Sequence, residues 1–575
     1  MKKKNFPMEN FNSRLFLRVF TFLIIFSNPA LSETIYFNET GGIANRMTIA
    51  NIENRGLKGK RVRFSLKSAN LMDSKSNKFL GDGKFTDLVF PRLKNTDEIN
   101  KPRLPYLALF MEGRPSDFIV DVREGPVKKV SNILPRPNLK LPCRCLKEGD
   151  EIEPLDRETY EDEFNELYEI DYLGDFRGIE ISRIKLYPSR YDGMDRELFV
   201  YPKIEFSIFD KSKNIVASHE VKDLLEVDSV TNKKFVVVGP ERFFEALEPW
   251  KKWKEEQGFK VKLISLEGLG QSAKDVKSFF RSEYKRDAFS WALLLGHEEI
   301  MPTNYVKTDS HDKTPSDLDY FTMGGLRDNI PDVFYGRFVV DSLQDLEVQV
   351  LKTIQFEKGA YANKSGYKRQ IGIASDEGYD PTDVEYLKNM QNPLEKAFGL
   401  RPYKFLQEKI NSTPENINKV LNKGAIWLNY IGHGEGSTWP SLHSRSYHSN
   451  DVKNIDGKGK VKPVIIDVAC QNGRFSFDNR LGERFLNETK GNDSLIGAVA
   501  YYGGSVDISW HPPAKMAVII NQILAKGKST HLGKLLFNGQ MELFKKHSTK
   551  KEVIDNLKWY HLLGDPSLRI DSIKN

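Results

Sequence analysis

The chain has 575 residues, of which 39% are hydrophobic, 11% aromatic and 29% charged, with a formal net charge of +7. At roughly 150 residues per domain this is enough chain for three or four domains' worth of core. The mix excludes a disordered chain, a collagen-like repeat and a multi-span membrane protein, and three cysteines exclude a disulfide scaffold.

Residues 1–32 read as a signal peptide. Lys2, Lys3, Lys4, Arg14 and Arg18 charge the start, residues 19–26 (VFTFLIIF) form a short apolar run, and Ala30-Leu31-Ser32 offers small residues to a signal peptidase. The run falls well short of the ~20 apolar residues that span a bilayer, so we expect export, secreted or periplasmic, with no stable membrane insertion. Five basic groups against Glu9 give this segment +4 of the total +7. The remainder is too weakly basic to predict a nucleic-acid partner.

Residues 33–230 read as a β-rich domain. Segments 61–66 (RVRFSL), 118–122 (FIVDV) and 197–209 (ELFVYPKIEFSIF) join β-branched and aromatic residues between Gly, Pro, Asp and Ser clusters, the pattern of a sandwich or barrel. Residues 148–175 carry thirteen acidic groups and one basic group, Arg157, and read as a solvated face. Cys143 and Cys145, an i,i+2 pair, are poorly placed to bond to each other and read as spare or metal-prone thiols.

From residue 231 onward strands and helices alternate. Strands are predicted at 235–239, 259–266, 291–296, 370–375, 425–431, 464–469 and 495–502. Helices are predicted at 241–256, 274–284, 341–361 and 383–398, and another is announced by Thr413-Pro414-Glu415. Apolar strands between amphipathic helices predict an α/β domain over 231–575, a parallel sheet covered on both faces. It forms one unit or two subdomains divided near 365.

Two predicted strand ends carry chemistry. One runs into Gly432-His433-Gly434-Glu435-Gly436, the other into Cys470-Gln471-Asn472-Gly473. Ligands of open α/β sheets bind beyond the carboxyl ends of strands, and neighbouring strands lie about 4.8 Å apart. His433 could then activate the Cys470 thiol as a nucleophile, with the amides of Gly434 and Cys470 as oxyanion donors. The competing readings are a buried structural Cys with a turn His, and a metal held by His433, His443 and His448, whose spacing matches no standard zinc pattern. We expect no metal site and no required cofactor; a structural calcium is not legible in the sequence.

Residues 429–434 (NYIGHG), 466–473 (IDVACQNG) and 563–568 (LGDPSL) resemble the motifs of the gingipain family of cysteine peptidases, family C25. Gly336-Arg337-Phe338 and residues 235–261 are similar as well, and residues 172–178 (YLGDFRG) and 186–209 look like that family's propeptide. The resemblance implies a caspase-like α/β fold preceded by an inhibitory propeptide, and endopeptidase activity on protein substrates. It gives His433 the general acid/base role and Cys470 the nucleophile's. Glu298 lies in the region of a third, orienting acid. Residues 316–320 (SDLDY) are similar to the segment that supplies an S1 carboxylate, so Asp317 would pair with a P1 Arg, and Trp510 would wall that pocket. The residues after Trp510, His511-Pro512-Pro513, depart from the arginine-specific pattern, and the chain stops shortly after the terminal signature. Lys222, Lys233 and Lys234 are the expected activation sites. The same dyad would serve a transpeptidase, and a catalytically idle binding protein is the third reading.

Overall fold

In the computed structural model the described residues are 32–37, 45–54, 56–74, 80, 84–145, 152–211 and 232–573, except 326, 362, 363, 379, 477, 478, 492, 493 and 528. Residues 1–31 of the expected signal peptide 1–32 and the expected cleavage site Lys222 lie outside them.

Among its described residues the N-terminal domain is built from antiparallel strands arranged in one three-stranded and three four-stranded sheets. Its core follows the two-residue period of the strand Lys203–Asp210, which buries Ile204, Phe206 and Ile208 and pairs with Leu57–Ser65 on one side and Phe118–Glu124 on the other. The stretch 197–209, read as one strand, is two. Glu197–Val200 pairs in a different sheet from Lys203–Asp210. Pro202 lies between them and cannot donate to a ladder, so the chain changes sheets there.

The C-terminal domain holds a ten-stranded sheet. Its strands are β1 (Lys234–Gly239), β2 (Lys260–Ser265), β3 (Trp291–Leu295), β4 (Phe334–Phe338), β5 (Arg369–Ala374), β6 (Arg401–Leu406), β7 (Trp427–Ile431), β8 (Val464–Val468), β9 (Ala500–Gly504) and β10 (Tyr560–Leu563). The spatial order is β2-β1-β3-β4-β10-β9-β8-β7-β5-β6. Every pairing is parallel except β9 with β10. The sheet is therefore two parallel blocks that run oppositely and meet at β9/β10, rather than one parallel sheet. β10 carries no strand signal of its own, because its four residues continue directly from the helix Lys550–Trp559.

The two domains share a polar and aromatic interface. Arg183 is fully buried and donates to the carbonyl oxygens of Phe544, His547 and Ser548 at 2.6–2.8 Å, capping the helix Leu532–Lys546. Its other partner is Asp171 at 2.6 Å, so the acidic run ends inside the interface and not on a wholly solvated face. Phe176 stacks on Phe537 at 5.1 Å, and Asp97 pairs with Lys515 and His547.

Candidate active site

The order β9-β8-β7-β5 brings four carboxyl ends of the second block to one edge. Ile431 of β7 is in register with Val468 of β8, so His433 and Cys470, each two residues further on, leave the sheet at the same level. Gly434 lies against the Cys470 backbone. A Cβ there would collide with the Cys470 carbonyl and come within 2.8 Å of the Ala469 Cβ, so only glycine permits the approach. Gln471, at φ 61°, holds the turn after Cys470 in the left-handed region, a strained conformation for a side-chain-bearing residue.

His433 is fixed on several sides. Its N–H donates to Ser441 Oγ at 3.1 Å, its carbonyl accepts from the Tyr430 hydroxyl at 2.8 Å, and its ring meets Trp510 edge-to-face at 5.7 Å. Nε2 lies 2.5 Å from Glu377 Oε2, and this hydrogen bond holds the Glu377 carboxyl below its usual range. Nδ1 is buried without a hydrogen-bond partner among the described residues. The Cys470 thiol accepts the Ile508 N–H at 3.3 Å, and complete burial pushes its pKa upward.

A residue of the N-terminal domain fills the space beside these groups. Arg144, fully buried, donates from both terminal nitrogens to Asp383 at 2.7 and 2.8 Å, and from Nε to the Trp510 carbonyl at 3.1 Å. Its guanidinium stacks on the Trp510 ring at 4.3 Å. Its backbone is engaged too: the N–H donates to Ile508 O at 3.0 Å, and its carbonyl accepts from Gly434 N–H at 3.2 Å. Asp383 is the first residue of the helix Asp383–Phe398, which Thr382 caps, and it also accepts from Ser375 Oγ at 2.7 Å. A bidentate carboxylate with every guanidinium nitrogen bonded is the arrangement in which burying such a pair is compensated. The loop between β5 and this helix is gripped further by Arg103 and Arg136, which pair with Asp380 at 2.7 and 2.6 Å.

Three sequence expectations change. Glu298 follows β3, in the other block of the sheet, and binds Arg474 at 3.0 Å and the Tyr305 hydroxyl at 3.2 Å, whereas the acid at His433 is Glu377. Asp317 is buried on Arg337 at 2.7 Å and accepts from Thr303 at 2.8 Å, so its charge is spent inside the fold, and the carboxylate beside Trp510 is Asp383, which holds Arg144. Cys143 and Cys145 are joined by a disulfide with Cα atoms 5.2 Å apart, closer than the roughly 6.6 Å of an extended i,i+2 pair, because the backbone bends at Arg144 and Cys145. With Asp507 their sulfurs form a group within 4.8 Å, in which the disulfide occupies both thiols.

Trp510 stacks on a guanidinium, that of Arg144. Lys233 is exposed beside β1, whereas Lys234 is the first residue of β1 and pairs with Asp287, so a cut after it would fall inside the sheet. Glu377 lies in the acid-rich stretch after β5 and Asp383 at the start of the next helix, and neither carries a periodic signal that marks it out. The useful sign was that this stretch follows a third apolar strand, 370–375.

The sequence model of peptidase family C25 matches residues 228–571. Gingipain R2 of Porphyromonas gingivalis is 25% identical over 377 residues, 63% of this chain and 49% of that protein. Gingipain R1 of the same organism is 24% identical over 434 residues, 70% of this chain and 42% of that protein. The chain thus spans about half the length of the curated relatives it matches. A crystal structure of the Arg-specific cysteine proteinase gingipain R aligns at TM-score 0.54 with 25% identity, covering 60% of this chain and 79% of that one. A complex of the Porphyromonas gingivalis RgpB pro- and mature domains aligns at 0.53 with 26% identity, covering 58% of this chain and 79% of that one. With the family model spanning more than half its length, the chain belongs to peptidase family C25.

Proposed function

We propose that this protein is an exported cysteine endopeptidase that cleaves after arginine and is held latent by its own N-terminal domain. The observation that carries the reading is Arg144, whose guanidinium sits on Asp383 and Trp510 while its carbonyl faces the Gly434 amide beside Cys470. That is the pose a P1 arginine would take in a substrate.

In this reading Cys470 Sγ attacks the P1 carbonyl carbon after passing its proton to His433. The Gly434 and Cys470 amides receive the developing oxyanion, and glycine at 434 lets the two turns converge on it. His433 then protonates the leaving amine, and water hydrolyses the thioester with His433 as base. Glu377, bonded to Nε2, fixes the imidazole and leaves the unpartnered Nδ1 to exchange the proton, and it stabilises the imidazolium. With the N-terminal domain seated the thiol is completely buried, and that burial raises its pKa against the opposing charge of Arg144, while Arg144 itself blocks the pocket. Asp383 selects arginine over lysine because its two oxygens meet a planar fork that an ammonium lacks. For that reason Lys222, Lys233 and Lys234 are weaker activation sites for the enzyme itself than an arginine would be.

The test is a thiol-reactive peptidyl ketone carrying P1 Arg, applied once the N-terminal domain has been removed. Covalent modification of Cys470, lost in Cys470→Ala, is the expected result. Failure to modify Cys470, or equal peptide hydrolysis by Cys470→Ala, sinks the reading, and a P1 panel in the same assay tests the arginine preference.

A further inference from the structure

The residue seated as P1 is flanked on both sides by the two bonded cysteines, in the order Cys143-Arg144-Cys145. The Arg144–Cys145 peptide bond is therefore inside a small ring closed by the disulfide. This is the bond that Cys470 would attack, since the Arg144 carbonyl already accepts the Gly434 N–H while the Arg144 N–H is fixed on Ile508 O. We propose that the disulfide makes Arg144–Cys145 a redox-gated processing site: bridged, the segment is an inhibitor, and opened by a dithiol reductant it becomes a substrate. The proposal rests on the peptidase reading above.

The chemistry follows from connectivity alone. Attack by Cys470 Sγ breaks the bond from the Arg144 carbonyl carbon to the Cys145 nitrogen, and His433 supplies the proton that makes that nitrogen an amine. In the bridged form this amine stays tied to Cys143 through the two sulfurs, and Cys143 stays bonded to Arg144. A tethered leaving group is present at an effective concentration far above that of any free amine, so religation outruns departure. The amine re-attacks the thioester, the proton returns through His433, and Cys470 thiolate leaves. No atom is lost, and the site is blocked again.

Reduction removes the tether. A dithiol gives two electrons and two protons to the disulfide, leaving Cys143 and Cys145 as thiols and itself as a cyclic disulfide. Once cut, the new N-terminus at Cys145, which stays on the same chain as Cys470, is free to move out of the site; water then takes the thioester to the Arg144 carboxylate, and the segment that ends at Arg144 can leave the pocket. Cys143 is only part-buried, which gives a reductant a route to the bridge, whereas Cys470 has no disulfide partner and needs no reductant for its own sake.

The experiment uses the full chain purified without reductant and reads two rates. These are the appearance of a new N-terminus at Cys145 and the onset of hydrolysis of a P1-Arg amide. Reduced dithiothreitol is expected to raise both by about 10²-fold or more, the scale on which a tether changes an effective concentration. Cys143→Ser/Cys145→Ser is expected to process at the raised rate without reductant and to ignore it. Each single substitution, which also breaks the ring, must behave alike, and the wild-type arm needs no substitution at all. Unchanged processing on reduction overturns the proposal. So does equal acceleration of the double variant, which would place the reductant's effect elsewhere, or activation by a chelator alone, which would assign the sulfurs to a metal. If the P1-Arg ketone never labels Cys470 in any arm, the peptidase reading itself fails. Labelling with redox-insensitive latency removes only the gate.

Discussion

Among the described residues are two buried bidentate Arg–Asp pairs that look alike and differ in where their cations come from. Arg337 on Asp317 belongs to one body. Both partners lie in the C-terminal domain, Arg337 also donates to the carbonyl oxygens of Gly296 and Met301, and its guanidinium stacks on Phe475. Arg144 on Asp383 joins two bodies, with the cation brought by the N-terminal domain into a pocket the other domain owns. On the proposed reading, a buried carboxylate is a strut when its cation comes from the same domain and a recognition site when the cation can leave. Burial and geometry alone do not separate the two.

Removing each carboxylate should separate them. Asp383→Ala is expected to lower kcat/KM for a P1-Arg peptide by about 10³-fold, the scale of a lost buried charge pair, while leaving a neutral P1 substrate unaffected. Steady-state kinetics on matched peptides checks this, and equal losses for both substrates would break the comparison. Asp317→Asn should do the reverse. It leaves Arg337 buried without its counter-charge, so stability falls by about 3–5 kcal/mol in denaturant unfolding, while activity per folded molecule is retained.

The same comparison explains what the sequence disclosed. His433 and Cys470 were legible because each follows a near-continuous apolar strand directly, and the glycines beside them mark a close backbone approach. Glu377 and Asp383 were not, because their positions depend on β5 lying beside β7, and the order of strands in a sheet is a long-range fact. Asp317 drew attention through local similarity, yet its partner Arg337 lies on β4, a strand that local pattern did not reveal. β10 was hidden for a related reason, since four residues without a preceding break give no periodicity. Arg144 had no signal at all: its role arises only when a loop of one domain meets the pocket of another.

Glu377 sharpens the contrast within the site, since its charge serves His433 rather than an arginine. Glu377→Gln keeps a hydrogen-bonding group at Nε2 but removes the charge that stabilises the imidazolium. The expected loss is about ten- to a hundredfold in kcat with little change in KM, and the acid limb of the pH–rate profile should move. A KM effect of the same size would instead make Glu377 part of the arginine pocket.

The domain interface also holds carboxylates with no buried cation bonded to their oxygens, and these should respond to pH. Asp332 accepts the Arg177 N–H and, at 2.8 Å, the Met323 N–H, and burial pushes its carboxyl up to about 7. Asp328, which accepts the Asp175 N–H at 3.0 Å, and Asp175 itself are raised as well, chiefly by burial. Arg177 faces them, but its side chain donates from Nε to the Asp332 backbone carbonyl, and burial lowers its pKa. A carboxyl whose pKa is raised in the assembled state binds protons more tightly there, so its contribution to holding the domains together is present at low pH and lost as pH rises through about 7. The N-terminal domain, once cut from the peptidase, should therefore dissociate more readily at pH 8 than at pH 5.5, by roughly tenfold, since partial resolvation offsets part of the shift. Asp332→Asn should flatten that dependence, whereas Asp383→Ala should weaken binding while leaving the slope in place, because it removes the anchor of Arg144 and does not touch the interface carboxylates. A flat profile in the unmodified protein would show that these carboxylates, like Asp317, are struts.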